Sequence, residues 1–117
     1  MKNKIDKSLL SGSTTMLILR LLESKDMYGY QMIENLEKQS NNVFTLKAGT
    51  LYPLLHGLEQ NGTVKSYEII TENVRSRKYY SLTNSGRKFL QEKKDEWETY
   101  SSAVNMVLGG GINYATV

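Results

Sequence analysis

A mainly α-helical (α+β) fold that carries a single β-hairpin is what this sequence predicts, and three observations predict it. Apolar residues recur every three or four positions through residues 8–23, 28–38 and 46–58, the period of a helix with one buried face. After Gly62 the pattern changes to two segments rich in β-branched and aromatic residues, 63–70 and 77–83, separated by a short polar loop. From Asn84 the helical period returns and runs to Leu108 without interruption. In that order the elements spell a winged helix-turn-helix, with a two-stranded β-hairpin wing and a long C-terminal dimerisation helix.

The bulk properties restrict what such a chain can do. Its 117 residues suffice for one core, divided by the pattern into residues 1–83, a C-terminal helix over 84–110 and a loose tail at 111–117. With no cysteine and a single histidine, thiolate metal sites, multi-histidine zinc sites and nucleophile–histidine–acid triads are all disfavoured. No nucleophile–base pair or carboxylate cluster stands out, so neither an enzyme nor a cofactor is expected. The basic start MKNKIDKSLL is followed by an apolar run too short, and too broken by Arg20, for a signal peptide or a membrane span. A cytoplasmic protein without a membrane partner is the expectation. Net charge is +3, and all of the excess lies in residues 1–86, which hold eleven Lys/Arg against eight Asp/Glu. That bias suits an electrostatic footprint in the first part of the chain.

Residues 1–7 are polar and basic, and expected to fray. The spacing predicts a helix from Ser8 to Glu23, with Met16, Leu19 and Leu22 on a stripe broadened by Leu17, Ile18 and Leu21. Such all-round apolar character requires burial on more than one side, in a central helix or a subunit contact. Gly12 costs about 1 kcal/mol relative to alanine inside a helix, which points to a close packing partner. After the break at Ser24-Lys25-Asp26, a second helix is predicted from Tyr28 to Lys38. Tyr30, Ile33 and Leu36 would face inward, and Gln31, Glu34, Asn35 and Lys38 outward. A polar turn over residues 39–45 leads to KAGTLYPLLHGLEQNG, residues 47–62.

In that third helix Leu51, Leu54, Leu55 and Leu58 form the buried stripe. Gly49, Pro53, His56 and Gln60 point the other way, with Thr50 and Tyr52 on the flanks. Lys47 holds the cap position between Leu46 and Leu51, which are spaced as a hydrophobic staple. Pro53 removes a hydrogen bond to the Gly49 carbonyl and is expected to bend the backbone. Asn61-Gly62 is the stop. Taken alone, the stretch reads as an amphipathic core helix. Its outer face, however, carries no carboxylate before Glu59, and its N-terminal amides attract anions, as in a helix that enters the DNA major groove.

The hairpin places Tyr80 and Leu82 on one face, Tyr79 and Ser81 on the other, and gathers Arg75, Arg77 and Lys78 at and after its loop TENVRS. Those cations suit phosphates or the minor groove, or simply a solvated tip. Thr83 caps the last helix, in which Leu90, Trp97 and Val104 repeat every seven residues, as do Tyr100 and Val107. A helix this long cannot bury its distal stripe on so small a body, and a second copy is the simplest partner for it.

The ordered motifs resemble the PadR family of bacterial transcriptional regulators. The resemblance rests on MLILRLL at 16–22, MYGYQMIENLE at 27–37, GTLYPLLHGLEQNG at 49–62, RKYYSLTNSGRKFL at 77–90 and DEWETYSSAVNMVLGG at 95–110. The single trailing helix is similar to the short-tailed subfamily. What the resemblance implies is a homodimeric repressor on a pseudo-palindromic double-stranded operator, released by a small hydrophobic or aromatic effector. It also implies a proline in the recognition helix, where Pro53 stands. Two features depart from the family pattern: Lys47 in place of a small polar cap, and a wing loop without a glycine run.

On this reading Thr50, Tyr52 and His56 face the groove, while Lys47, Arg75, Arg77 and Lys78 lie on phosphates. Tyr52 has a second reading, half-buried against the wing. Trp97, Tyr100, Val104, Val107 and Leu108 form the dimer seam, and Trp97 would either grip the effector between two chains or serve as a plain interface anchor. The alternative function is a winged-helix protein–protein interaction module without operator binding.

Overall fold

Residues 5–70, 72 and 76–109 are described by the computed structural model of the chain. The elements run α1 (Lys7–Ser11), α2 (Thr14–Ser24), β1 (Met27–Tyr28), α3 (Gly29–Gln39), α4 (Ala48–Gln60), β2 (Val64–Ile70), β3 (Ser76–Leu82) and α5 (Asn84–Leu108). Arg75, most of the wing loop, the first four residues and the tail after Gly109 lie outside the described residues.

The first expected helix is two. Ser13 Oγ and Thr14 Oγ1 each donate to the Leu10 carbonyl at 3.1 Å, so hydroxyls close α1 where a continuous ladder was expected. Gly12 sits at this break, and nothing lies within 4 Å of where its side chain would begin; the expected packing partner is absent. The all-round apolar character of α2 is explained by its position. Ile18, Leu19, Leu21 and Leu22 are buried, and the helix packs against α3, β3 and α5 at once.

A third strand was not expected. Met27 and Tyr28 pair antiparallel with Tyr80 and Tyr79, giving the sheet order β1-β3-β2 in place of a bare hairpin. Two residues carry no readable alternation, so β1 has no signature in the sequence. With Tyr28 extended, α3 starts one residue late, and the Tyr28 N–H donates to Gln31 Oε1 at 3.2 Å. Its buried residues are Gly29, Met32 and Leu36, with Ile33 partly covered. Tyr30, expected inside, is 62% exposed in the first turn, and Met32 fills the core instead.

The turn between α3 and α4 is closed by a Schellman motif. Asn42 N–H donates to the Glu37 carbonyl at 2.8 Å and Asn41 N–H to that of Lys38 at 3.2 Å, with Asn41 left-handed at φ 55°. Asparagine tolerates that region better than other residues with a side chain. Helix α4 continues through Pro53, and Leu51, Leu55 and Leu58 are buried as expected, with Leu54 partly so. Lys47 is the N-cap and makes no side-chain capping bond, while Leu46 and Leu51 both join the core.

A second Schellman motif ends α4, with Gly62 N–H on the Glu59 carbonyl (3.1 Å) and Thr63 N–H on that of Leu58 (2.9 Å). This end is tied to the start of α5. Thr83 Oγ1 accepts from Gly86 N–H at 3.0 Å as the cap, and donates to the carbonyls of Gly62 (2.7 Å) and Thr63 (2.9 Å). Ser85 Oγ adds a bond to the Gly62 carbonyl at 3.1 Å. Gly86 lies so close beneath that a Cβ there would overlap the Thr63 carbonyl oxygen and come within 2.8 Å of Leu82.

Only the first turns of α5 belong to the core. Gly86 and Leu90 are buried, Phe89 packs on the core's edge, and Lys94 reaches Glu23 of α2 at 3.2 Å. Beyond that the helix is an arm. The Cα radius of gyration is 17.3 Å, against about 13 Å for a compact domain of this length.

Candidate nucleic-acid interface

Helix α4 presents one outer face of low acidity. Lys47, Gly49, Thr50, Tyr52, Pro53, His56 and Gln60 are all exposed, beside amides of the first turn that have no intrahelical acceptor. The first carboxylate on this helix, Glu59, is turned to the wing: Ser66 Oγ donates to it at 2.5 Å, and Lys78 Nζ lies at 3.9 Å. The carboxylate on α4 thus has a hydroxyl and an ammonium as partners within the chain.

Tyr52 is 46% exposed and leans across the first turn of α3. Space for its ring exists because residue 29 has no side chain; a Cβ there would overlap the Tyr52 hydroxyl and ring edge. The Tyr28-Gly29-Tyr30 string is thereby explained as a seat for Tyr52. Gly29→Ala is expected to lower stability by about 1–3 kcal/mol through overpacking. Adding Tyr52→Leu should recover most of that loss in thermal unfolding, because the obstructing ring is then gone. Tyr28, Tyr30, Tyr52, Ser76, Arg77 and Lys78 line a cleft of about 490 Å³ between α3, α4 and the start of β3. Tyr52 is thus half-covered, as its second reading expects, but by Gly29 of α3 and not by the wing, which it faces only across the cleft.

The wing cations separate by strand alternation. Lys78 shares the inner face with Tyr80, lies 5.7 Å from that ring's centroid and pairs with Glu59. Arg77 points to the outer face, where its guanidinium carbon is 4.4 Å from the centroid of Tyr28. Among the described residues it has no ion-pair partner. Tyr67, opposite Tyr79 in the register, donates its hydroxyl to Asp26 Oδ2 at 2.6 Å. Sequence reasoning missed Tyr28, Tyr30 and this outer aromatic face, although Tyr67, Tyr79 and Arg77 share one parity once the hairpin register is set.

The hydrogen bond to Asp26, reinforced by desolvation and by the aspartate's charge, raises the Tyr67 pKa above its ordinary 10.0. A pKa raised on folding stabilises the fold below the unfolded value, and that contribution is lost as pH climbs through the folded one. Asp26→Asn should therefore lower the alkaline midpoint of tyrosinate absorbance for one tyrosine and flatten the fall of stability above pH 10.

At the other end of the molecule, Trp97 and Tyr100 stand with ring centroids 6.0 Å apart. With Leu9, Gly12 and Met16 from the α1–α2 segment they border a groove of about 360 Å³, rimmed by Lys93 and Glu96, themselves paired at 3.2 Å. Val104 is half-buried, whereas Trp97 (48%), Tyr100 (60%), Val107 (79%) and Leu108 (78%) are open. Leu9 and Met106, which the heptad reading omitted, are exposed as well.

A helix pair closed by a tight turn, a second helix with a free polar face, a hairpin beside it and a trailing arm together make a winged helix-turn-helix protein. The chain belongs to the PadR-like family of transcriptional regulators, whose family model matches residues 18–92. It is similar to a transcriptional regulator from Clostridium thermocellum, Cth-833, at 33% identity and a TM-score of 0.78, over 85% of this chain and 96% of that one. A PadR family regulator from Clostridium difficile R20291 superposes with a TM-score of 0.70 at 37% identity, covering 82% of this chain and 98% of the other. Transcriptional regulator Rv3488 of Mycobacterium tuberculosis is 30% identical over 93 residues, 80% of either chain. Membership assigns the chain to regulation of transcription and not to catalysis. No helix among the described residues is long and apolar enough to cross a membrane.

Proposed function

We propose that this regulator is a homodimeric, cytoplasmic repressor that binds a pseudo-palindromic operator in double-stranded DNA and is released by a small hydrophobic or aromatic effector. The observation that carries the DNA reading is the exposed, carboxylate-free N-terminal face of α4, flanked by the guanidinium of Arg77, which has no ion-pair partner among the described residues. Thr50, Tyr52 and His56 would meet base edges, with Lys47, Arg75, Arg77 and Lys78 on phosphates. Of these, Lys78 must first be released from Glu59. Residues 1–83 would form the reading head and α5 the dimer arm, in which Trp97, Tyr100, Val104, Val107 and Leu108 meet their copies. The groove beside Trp97 would hold the effector, because flat apolar rings stack well against the indole.

Selection of bound sequences from a random duplex pool is the direct test. Two related half-sites whose centres lie about 10 base pairs apart, or a multiple of that, are expected. No enrichment, together with binding indifferent to salt, would sink the proposal. Each lost phosphate contact should lower the slope of log affinity against log salt by about one. Arg75→Ala with Arg77→Ala removes two contacts per subunit, four per bound dimer, and should therefore reduce that slope by about four; an unchanged slope removes the wing from the interface.

A further inference from the structure

The outer face of the wing holds a connected row of side chains drawn from all three strands. Asp26 accepts from the Tyr67 hydroxyl at 2.6 Å. The Tyr67 ring stacks on Tyr79 with centroids 5.8 Å apart and planes 15° from parallel. Tyr79 in turn meets Tyr28 edge to face at 5.4 Å and 74°. The row ends at Arg77, whose guanidinium lies over the Tyr28 ring. Register explains the alignment: Tyr67 and Tyr28 are the two cross-strand partners of Tyr79, and Arg77 is two residues along β3 on the same side.

We propose that Tyr28 is a positioning residue that fixes the Arg77 guanidinium at the cleft beside α4, ready for a DNA phosphate; this rests on the DNA-binding reading above. Held over the ring by its central carbon at 4.4 Å, the guanidinium has five N–H donors, more than one ring contact uses, and its fork suits paired bonds to a phosphate. An arginine on an open hairpin would otherwise have to surrender its rotamer freedom when it binds. Here the ring limits that freedom beforehand, and no carboxylate among the described residues competes for the donors. Lys78, the neighbouring cation, also borders the cleft, but its ammonium lies over Tyr80 and beside Glu59 and not over Tyr28, so it cannot take this role without leaving that carboxylate. A lysine at position 77 would carry the charge but not the planar fork.

The test uses the full chain, a duplex recovered from the random pool, and the variants Tyr28→Phe, Tyr28→Leu, Arg77→Ala and Tyr28→Leu/Arg77→Ala. Tyr28→Leu is expected to weaken binding about three- to tenfold, close to Arg77→Ala, while Tyr28→Phe keeps the stack and stays within about twofold of the unmodified chain. The double variant should be no weaker than Arg77→Ala alone. In the free protein, NMR should find the Arg77 side-chain resonances shifted upfield by the ring, equally with Tyr28→Phe and not with Tyr28→Leu. Additive losses in the double variant, or a Tyr28→Phe loss as large as that of Tyr28→Leu, would overturn the proposal, since Tyr28 would then act through its own hydroxyl or through the fold. So would Arg77 resonances indifferent to Tyr28→Leu. If the unmodified chain shows no salt-dependent duplex binding, the DNA reading fails by itself, and the NMR comparison still decides whether Tyr28 holds Arg77. Tyr67→Phe, on an exposed ring that leaves α3 untouched, gives a second handle: a partial loss of the Arg77 shift is expected, and its absence would detach the far end of the row.

Discussion

Gly86→Ala is expected to cost about 3 kcal/mol or more, and so to lower the thermal midpoint by about 10 °C or more. The collision it creates is with backbone. A methyl at residue 86 would overlap the Thr63 carbonyl oxygen, which cannot swing aside because it also accepts from Thr83 Oγ1 and from the Thr83 amide. Relief therefore requires moving the start of α5 away from the end of α4, and with it the cap made by Thr83. Gly57→Ala is the control. That glycine is inside α4 with nothing within 4 Å of the added carbon, so alanine should stabilise by up to about 1 kcal/mol. Calorimetry of the two variants side by side checks the argument; a Gly86→Ala protein as stable as the parent would contradict it.

The second large effect concerns the arm. Tyr100→Asp with Val107→Asp leaves the core of one chain untouched, since those side chains are 60% and 79% exposed. In the proposed two-fold seam, however, the same changes would bury four carboxylates. The dimer dissociation constant should rise on the order of a thousandfold, giving a monomer by sedimentation at micromolar concentration. Operator affinity should fall by a hundredfold or so, because two half-sites are no longer held by one molecule. Unchanged sedimentation would mean that copies of this chain do not meet through α5.

Strongly periodic stretches were legible in the sequence. The span of α5 and its Thr83 cap, the buried leucines of α4 and the outward set Gly49, Pro53, His56 and Gln60 all follow from spacing, and all are found. What escaped was decided by tertiary contact. The break in the first helix turns on hydroxyls of Ser13 and Thr14 that compete with the helical ladder. β1 is two residues long and exists only because β3 lies alongside. Tyr30 was placed inward by a spacing of three from Ile33, yet the helix begins with Tyr28 extended, and the core position goes to Met32. At the site, the spacing could nominate Arg77 and Lys78 together. Only the strand register tells them apart, one over the Tyr28 ring and the other paired with Glu59.

The bonds from Thr83 and Ser85 to the carbonyls of Gly62 and Thr63 leave no slack between the last turn of one helix and the first turn of another. In the proposed dimer each subunit would act as a bent lever with its elbow at this joint. A change in how the two arms cross would then be passed through this joint to the separation of the two α4 helices. On the proposed reading, an effector beside Trp97 would need no path of its own through residues 1–83 to change DNA binding.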